Sequence, residues 1–115
     1  MPEPTGQEVT GQELTEHELE LLGGVFEMAR NGDTAQLTGL LQAGLPVNLT
    51  NSAGDTLLIL AAYHAHPDLV RALLDHGADT ERVNDRGQTA LGAAVFRQSE
   101  PCVSALLAAG ADPDH

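Results

Sequence analysis

One pattern returns three times at a spacing of 33 residues: Leu40-Leu41, Leu73-Leu74 and Leu106-Leu107, each followed three residues later by a glycine, at Gly44, Gly77 and Gly110. Other positions keep the same register. Ala29 answers Ala62, Leu37 answers Val70 and Val103, and Val25 answers Leu58 and Leu91. A fixed period in the thirties marks a stacked helical repeat. Each unit of such a stack is too small to bury its own apolar face, and its neighbours bury it instead. The expected product is an extended scaffold presenting a surface, with no enclosed catalytic cleft.

Composition narrows the building material and the partners. The chain has 115 residues, enough for one domain with a modest core. Hydrophobic residues make up 42% but aromatics only 3%, so Leu, Val and Ala must fill the interior. The formal net charge is −12, with every basic side chain apart from histidine an arginine. Such a chain repels phosphate backbones and anionic bilayers, which argues against nucleic acid or membrane as a direct partner. A basic or neutral protein surface is the better match, although solubility alone also accounts for the charge. Cys102 is the only cysteine, so no internal disulfide can form, and a small buried hydrophobe is its expected role. A basic, apolar leader and a membrane-length apolar run are both missing from the sequence, which leads to the expectation of a soluble cytoplasmic protein. The absence of Lys beside abundant Ala, Gly and Leu fits a high-GC bacterial genome.

Residues 1–13 read as a disordered acidic tail, with Pro2, Pro4, Gly6, Gly11 and few apolar groups. The folded domain is expected over 14–115, in units of about 15–50, 51–83 and 84–115. Thr15 and Glu18 have capping-box spacing, and Leu19, Leu22, Phe26 and Ala29 form an apolar helical stripe. Gly23-Gly24 interrupts that stripe. One helix ending near Arg30 is expected across it, with close packing at the glycines. Asp33 is placed to cap a helix over 34–43, which Gly44 stops by taking a left-handed conformation. The second unit predicts helices from Thr56 to Tyr63 and from Pro67 towards Gly77. The third predicts Thr89 to Phe96 and a restart near Glu100-Pro101 that ends at Gly110. The polar stretches 48–55 and 81–88 each hold a late glycine and read as projecting turns.

This arrangement resembles the ankyrin repeat, whose units run Gly-x-Thr-Pro-Leu-His-x-Ala-Ala, then Leu-Leu at the end of a second helix, then Gly-Ala-Asp. Here the second unit reads Gly54-Asp55-Thr56-Leu57-Leu58-Ile59-Leu60-Ala61-Ala62, then Leu73-Leu74 and Gly77-Ala78-Asp79. The third reads Gly87-Gln88-Thr89-Ala90-Leu91-Gly92-Ala93-Ala94, then Leu106-Leu107 and Gly110-Ala111-Asp112. The first unit keeps only the later half, and its Glu16, Glu20, Glu27 and Gln36 suit the outer surface of an N-terminal cap. The resemblance implies an all-α solenoid of about three helix-turn-helix units with β-turn tips between them. The family's Pro-Leu-His core is absent, which predicts looser coupling between units, while Thr56 and Thr89 remain to cap the first helices.

The resemblance also implies where a partner protein would sit, on the turn tips and the concave surface of the first helices. Those positions are Asn51, Ser52, Ala53 and Asp55, then Tyr63 and His64, then Asp85, Arg86 and Gln88, then Phe96 and Arg97. Tyr63 and Phe96 hold matching variable positions, which neighbouring units would bring side by side, and aromatics with Arg dominate binding hot spots. Catalysis has no constellation to work with. His64, His66 and His76 with Asp68 and Asp79 lack the spacing of a zinc site, and solvated turn positions account for them. Neither Cys102 nor any serine sits in a nucleophile motif, and Gly23-Gly24 lacks the Lys-Ser/Thr of a phosphate loop. No cofactor or metal is expected. The alternative reading starts from the last helix, which carries no charge after Glu100 although a terminal repeat needs a polar outer face. Further chain, a second copy of this protein or a docked partner would each cover it. Self-association through that face makes a structural subunit the runner-up function.

Overall fold

The computed structural model describes the backbone of residues 16–113 and the side chains of residues 24–113. The tail at 1–13, the Thr15–Glu18 cap and the side chains of Leu19 and Leu22 lie outside the described residues. Among the described residues the secondary structure is helical, in three pairs: α1 (Glu16–Asn31) with α2 (Thr34–Gln42), α3 (Leu57–Tyr63) with α4 (Pro67–Asp75), and α5 (Ala90–Phe96) with α6 (Glu100–Ala108). The fold is an all-α repeat solenoid. Its two rows follow from which elements touch: α1 packs on α3 and α3 on α5, while α2 packs on α4 and α4 on α6. The result is elongated, with extents of 53 × 28 × 20 Å.

The local chemistry of each unit is set by the same residue types in the same register. Thr56 and Thr89 sit in extended backbone just before α3 and α5, and each Oγ1 accepts a hydrogen bond at 3.0 Å, from the amides of Ile59 and Gly92. Pro67 and Pro101 stand in the first turns of α4 and α6, where a missing N–H leaves nothing unpaired. Gly44, Gly77 and Gly110 end the second helices at φ of 111°, 85° and 93°. Asp33 departs from expectation. Its side chain makes no capping bond to α2, because ψ of 71° takes the residue out of the extended conformation that aims a cap at the free N–H groups. Thr34 Oγ1 donates to the Gly32 carbonyl there instead, at 3.3 Å. Across Gly23-Gly24 the helix runs unbroken and ends one residue beyond Arg30, without the close packing expected at Gly24. A Cβ on Gly24 would meet nothing within 4 Å.

The core lies between the two rows. Leu37, Leu57, Leu58, Leu69, Val70, Leu73 and Leu106 are buried, and Ala29, Ala61, Ala62, Ala93 and Ala94 let the first helices approach closely. Cys102 is a free thiol inside this core. Side chain to backbone bonds then tie unit to unit. Asn48 Oδ1 accepts from the Asp79 amide at 2.9 Å, and one period later Glu81 Oε2 accepts from the Asp112 amide at 3.2 Å. Where the family's histidine would stand, Ile59 is buried and Gly92 is open to solvent. A histidine elsewhere makes a link of its own: His66 Nε2 lies 2.7 Å from the Arg30 carbonyl, with its ring against Gly32.

Candidate functional site

The residues expected to meet a partner fall into two groups at opposite ends of the first helices. A helix of seven residues is about 10 Å long, so the turns that precede α3 and α5 stand well apart from Tyr63 and Phe96 at their far ends.

The turn group is a hydrogen-bonded structure in its own right. Asn51 Oδ1 accepts from the Ala53 amide at 3.0 Å and the Asp55 amide at 2.9 Å. Its counterpart Asn84 does the same for the Arg86 and Gln88 amides, both at 2.9 Å. The Asp85 amide donates to the Ala53 carbonyl at 2.9 Å, which joins one turn to the next. Asp55 is not at the surface. It is 8% exposed, and its Oδ1 accepts from Asn84 Nδ2 at 2.8 Å, so that carboxylate serves the joint between units. Gln88 Oε1 takes a second bond from the same amide at 3.3 Å. Ser52, Ala53, Asp85 and Arg86 are exposed, and Asn51 and Gln88 are half-buried.

The helix-end group forms one cluster. The rings of Tyr63 and Phe96 stack with centroids 6.1 Å apart and planes within 9° of parallel. The Arg97 guanidinium lies over the Tyr63 ring, 5.1 Å from its centroid, and His64 meets the same ring edge-on at 5.2 Å. The 33-residue register brings the two aromatics together. Phe96 is nonetheless 67% exposed, which for a large apolar side chain means that the protein itself leaves it uncovered. Beside it Val95 is 56% exposed, a feature that the repeat register did not single out. His64 is held below its ordinary value by burial first, then by the neighbouring His66, Arg97 and Arg30, against an opposing pull from Asp55.

The three histidines whose side chains are described do not converge on a common point. His66 faces the Arg30 carbonyl, His76 Nδ1 lies 2.9 Å from the Ala72 carbonyl on its own helix, and His64 faces Tyr63. Among the described residues no three His, Cys, Asp or Glu side chains gather as a metal would require. A groove of about 300 Å³ lies at the far end of the stack, lined by Leu91, Val95, Val103, Leu107 and Pro113. Among the described residues no helix is long and apolar enough to cross a membrane.

Three helix pairs in register, with left-handed glycines closing the second helices and hydrogen-bonded turns between pairs, constitute a specific architecture. Residues 25–115 match the family of ankyrin repeats in three copies. The chain belongs to the ankyrin repeat family. It is 52% identical over 52 residues to an ankyrin repeat protein of Pseudomonas aeruginosa, a match covering 45% of this chain and 30% of that one. The human ankyrin repeat domain-containing protein 29 is 44% identical over 62 residues, covering 53% and 21%. Two solved structures share the fold at 33% identity. The human ASB11 ankyrin repeat domain superposes with a TM-score of 0.73, covering 76% of this chain and 40% of that one. A chain from the complex of the Bd0816 predatory endopeptidase of Bdellovibrio bacteriovorus with the immunity protein Bd3460 superposes with a TM-score of 0.74, covering 78% and 47%. This chain thus spans less than half the length of each of these four proteins. Ankyrin repeats are in general a non-catalytic, protein-binding fold.

Proposed function

We propose that this ankyrin repeat protein is a non-catalytic cytoplasmic adaptor of bacterial origin that binds one partner protein through the helix-end cluster, with the exposed turn tips at the other end of the first helices as a second contact area. The observation that carries the reading is the Tyr63–Phe96 stack with Arg97 laid over it. A preordered aromatic pair loses little rotamer freedom on binding, and the exposed ring of Phe96 gains most from being covered. At the opposite end of the first helices the exposed Ser52, Ala53, Asp85 and Arg86 offer a second contact area. Asn51, Asp55 and Gln88 contribute by holding the turns in shape.

Capture of the partner from lysate of the native host tests this, with wild type set against the double variant Tyr63→Ala/Phe96→Ala. Neither ring lies in the fully buried core, so the variant should fold. The expected result is a protein retained by wild type and lost by the variant. Retention by both would move the interface elsewhere.

A second reading has its own observation. Val95 and Leu107 stand exposed around the terminal groove, where an interior unit would have a neighbour. Self-association through this face would make the protein a structural subunit. Light scattering across a dilution series separates the two readings. A mass that stays monomeric at high concentration rules the subunit out.

A further inference from the structure

The terminal groove has the relief of a surface that fits a copy of itself. Leu91 is buried and Val103 half-buried within it, while Val95 and Leu107, 56% and 46% exposed, project beside them. Gly92 leaves a recess between these side chains. Its counterpart Ile59 is buried, whereas a Cβ built on Gly92 would meet only its own cap, Thr89 Oγ1, at 3.4 Å. A self-complementary contact needs both a projection and a recess on one face, and this face has them. The first helix pair offers nothing to match it. Among the described residues of α1 and α2 no large apolar side chain is exposed, and Glu27, Gln36 and Gln42 are. Elsewhere Val83 stands alone in a polar turn, and Phe96 stacks on Tyr63 at the helix ends. Head-to-tail stacking would therefore set the apolar face against a polar one.

We propose that two copies of this chain pair groove to groove about a two-fold axis, Val95 and Leu107 of each entering the recess at Gly92 of the other. The proposal rests on the self-association reading above, gives it one geometry, and is independent of the helix-end reading. A two-fold contact uses up the face on both copies, so growth stops at two. The product is a closed dimer bearing two Tyr63–Phe96 clusters, not a subunit of a growing filament. Area and charge keep the pair weak. Helices of seven and nine residues side by side cover roughly 300 Å² in plan, against about 800 Å² on each copy of a standard stable interface. Within one chain such a contact is helped by the high effective concentration of linked units, which separate copies lack. Asp112 lines the groove, Glu100 precedes Val103 by one helical turn, and no Arg lines the groove among the described residues. In a two-fold pair these acids approach their own copies, and the chains as a whole repel at −12 each. Salt screens that repulsion and leaves apolar burial in place, so salt strengthens the dimer. A basic partner on the same face would be weakened by it.

The test is sedimentation equilibrium of the full chain from micromolar to millimolar protein, at low and at high sodium chloride. The expected result is monomer at micromolar protein and a monomer–dimer equilibrium towards millimolar, with no larger species. Its dissociation constant should fall roughly threefold or more at high salt. Val95→Asp and Leu107→Asp each place two further carboxylates in the contact and should weaken the dimer by about tenfold or more. Val83→Asp adds the same charge at a residue 49% exposed outside the groove and should leave the dimer unchanged. All three side chains are exposed, and urea midpoints at micromolar protein, where wild type is monomeric, check that each variant is folded. Monomer at millimolar protein in both salts would overturn the proposal together with the self-association reading. Masses that climb past the dimer, or a dimer that survives both Val95→Asp and Leu107→Asp, would overturn the two-fold contact and leave self-association through another geometry standing. A dimer that weakens with salt, or that Val83→Asp disrupts as much as Val95→Asp, would likewise overturn it.

Discussion

The second and third repeats carry nearly the same motif and live in different surroundings. Val70 is fully buried between neighbours, while its counterpart Val103 is only half-buried. Leu74 packs half-buried beside the core, and Leu107 is 46% exposed. Ile59 is 2% exposed where the third unit has an open Gly92. The middle unit is covered on two sides and the last on one. The sequence difference at Ile59 and Gly92 follows that boundary, but the leucines do not, since the last unit keeps side chains suited to a neighbour. Local sequence specifies the helix pair, and position in the stack decides what its apolar residues contribute.

The widest separation between the two units should come from their leucines. Leu73→Ala removes a fully buried side chain between α4 and its neighbours and should cost about 2–5 kcal/mol, enough to unfold much of a protein this small. Leu107→Ala trims a side chain already close to half in water and should cost about 1 kcal/mol or less. Urea denaturation at micromolar protein checks both. A Leu107→Ala cost matching that of Leu73→Ala would break the comparison, because it would mean that something covers the terminal face in solution.

The turns give a finer contrast. Asn51 and Asn84 are one period apart and hold their turns with the same pair of bonds. Only Asn84 also reaches back, through its amide nitrogen, to the buried Asp55 of the preceding unit. Asn84→Ala leaves that carboxylate without its donor and should cost about 1–3 kcal/mol beyond the shared loss of turn bonds. Asn51→Ala should cost only the turn. Equal destabilisation in a urea melt would show that the bond between units contributes nothing net.

How much of this was legible in the sequence depends on what each feature rests on. The helix pairs, the threonine caps and the glycine stops each depend on residues within a few positions, and the 33-residue period exposes them. The Tyr63–Phe96 pairing was legible for the same reason, because identical register in adjacent units places two side chains side by side. The burial of Asp55 was not, because its partner Asn84 is 29 residues away and no local rule connects them. Asp33 looked like a cap by residue type and failed by backbone angle, which residue type does not set. The His66 to Arg30 bond has no counterpart in the other units, so periodicity could not reveal it. Looser coupling, expected from the missing family histidine, must be weighed against these other links.

A last contrast asks what does not depend on position in the stack. The turns joining the two helices of each pair place Gly32, Ala65 and Gln98, one period apart, in the left-handed region at φ of 77°, 60° and 58°. Only the first is a glycine. A Cβ there costs about 1–2 kcal/mol, of which a glycine substitution gives back about 0.4–1 kcal/mol through greater freedom in the unfolded chain. Ala65→Gly and Gln98→Gly should therefore each stabilise by about 0.5 kcal/mol, read as a small rise in the urea midpoint at unchanged slope. Since the strain is local, the middle unit and the end unit should respond alike, unlike the leucines and the asparagines. If Gln98→Gly stabilises and Ala65→Gly does not, the middle turn is held by its neighbours as well as by its own backbone, and the division between local specification and stacking must be drawn inside the turn.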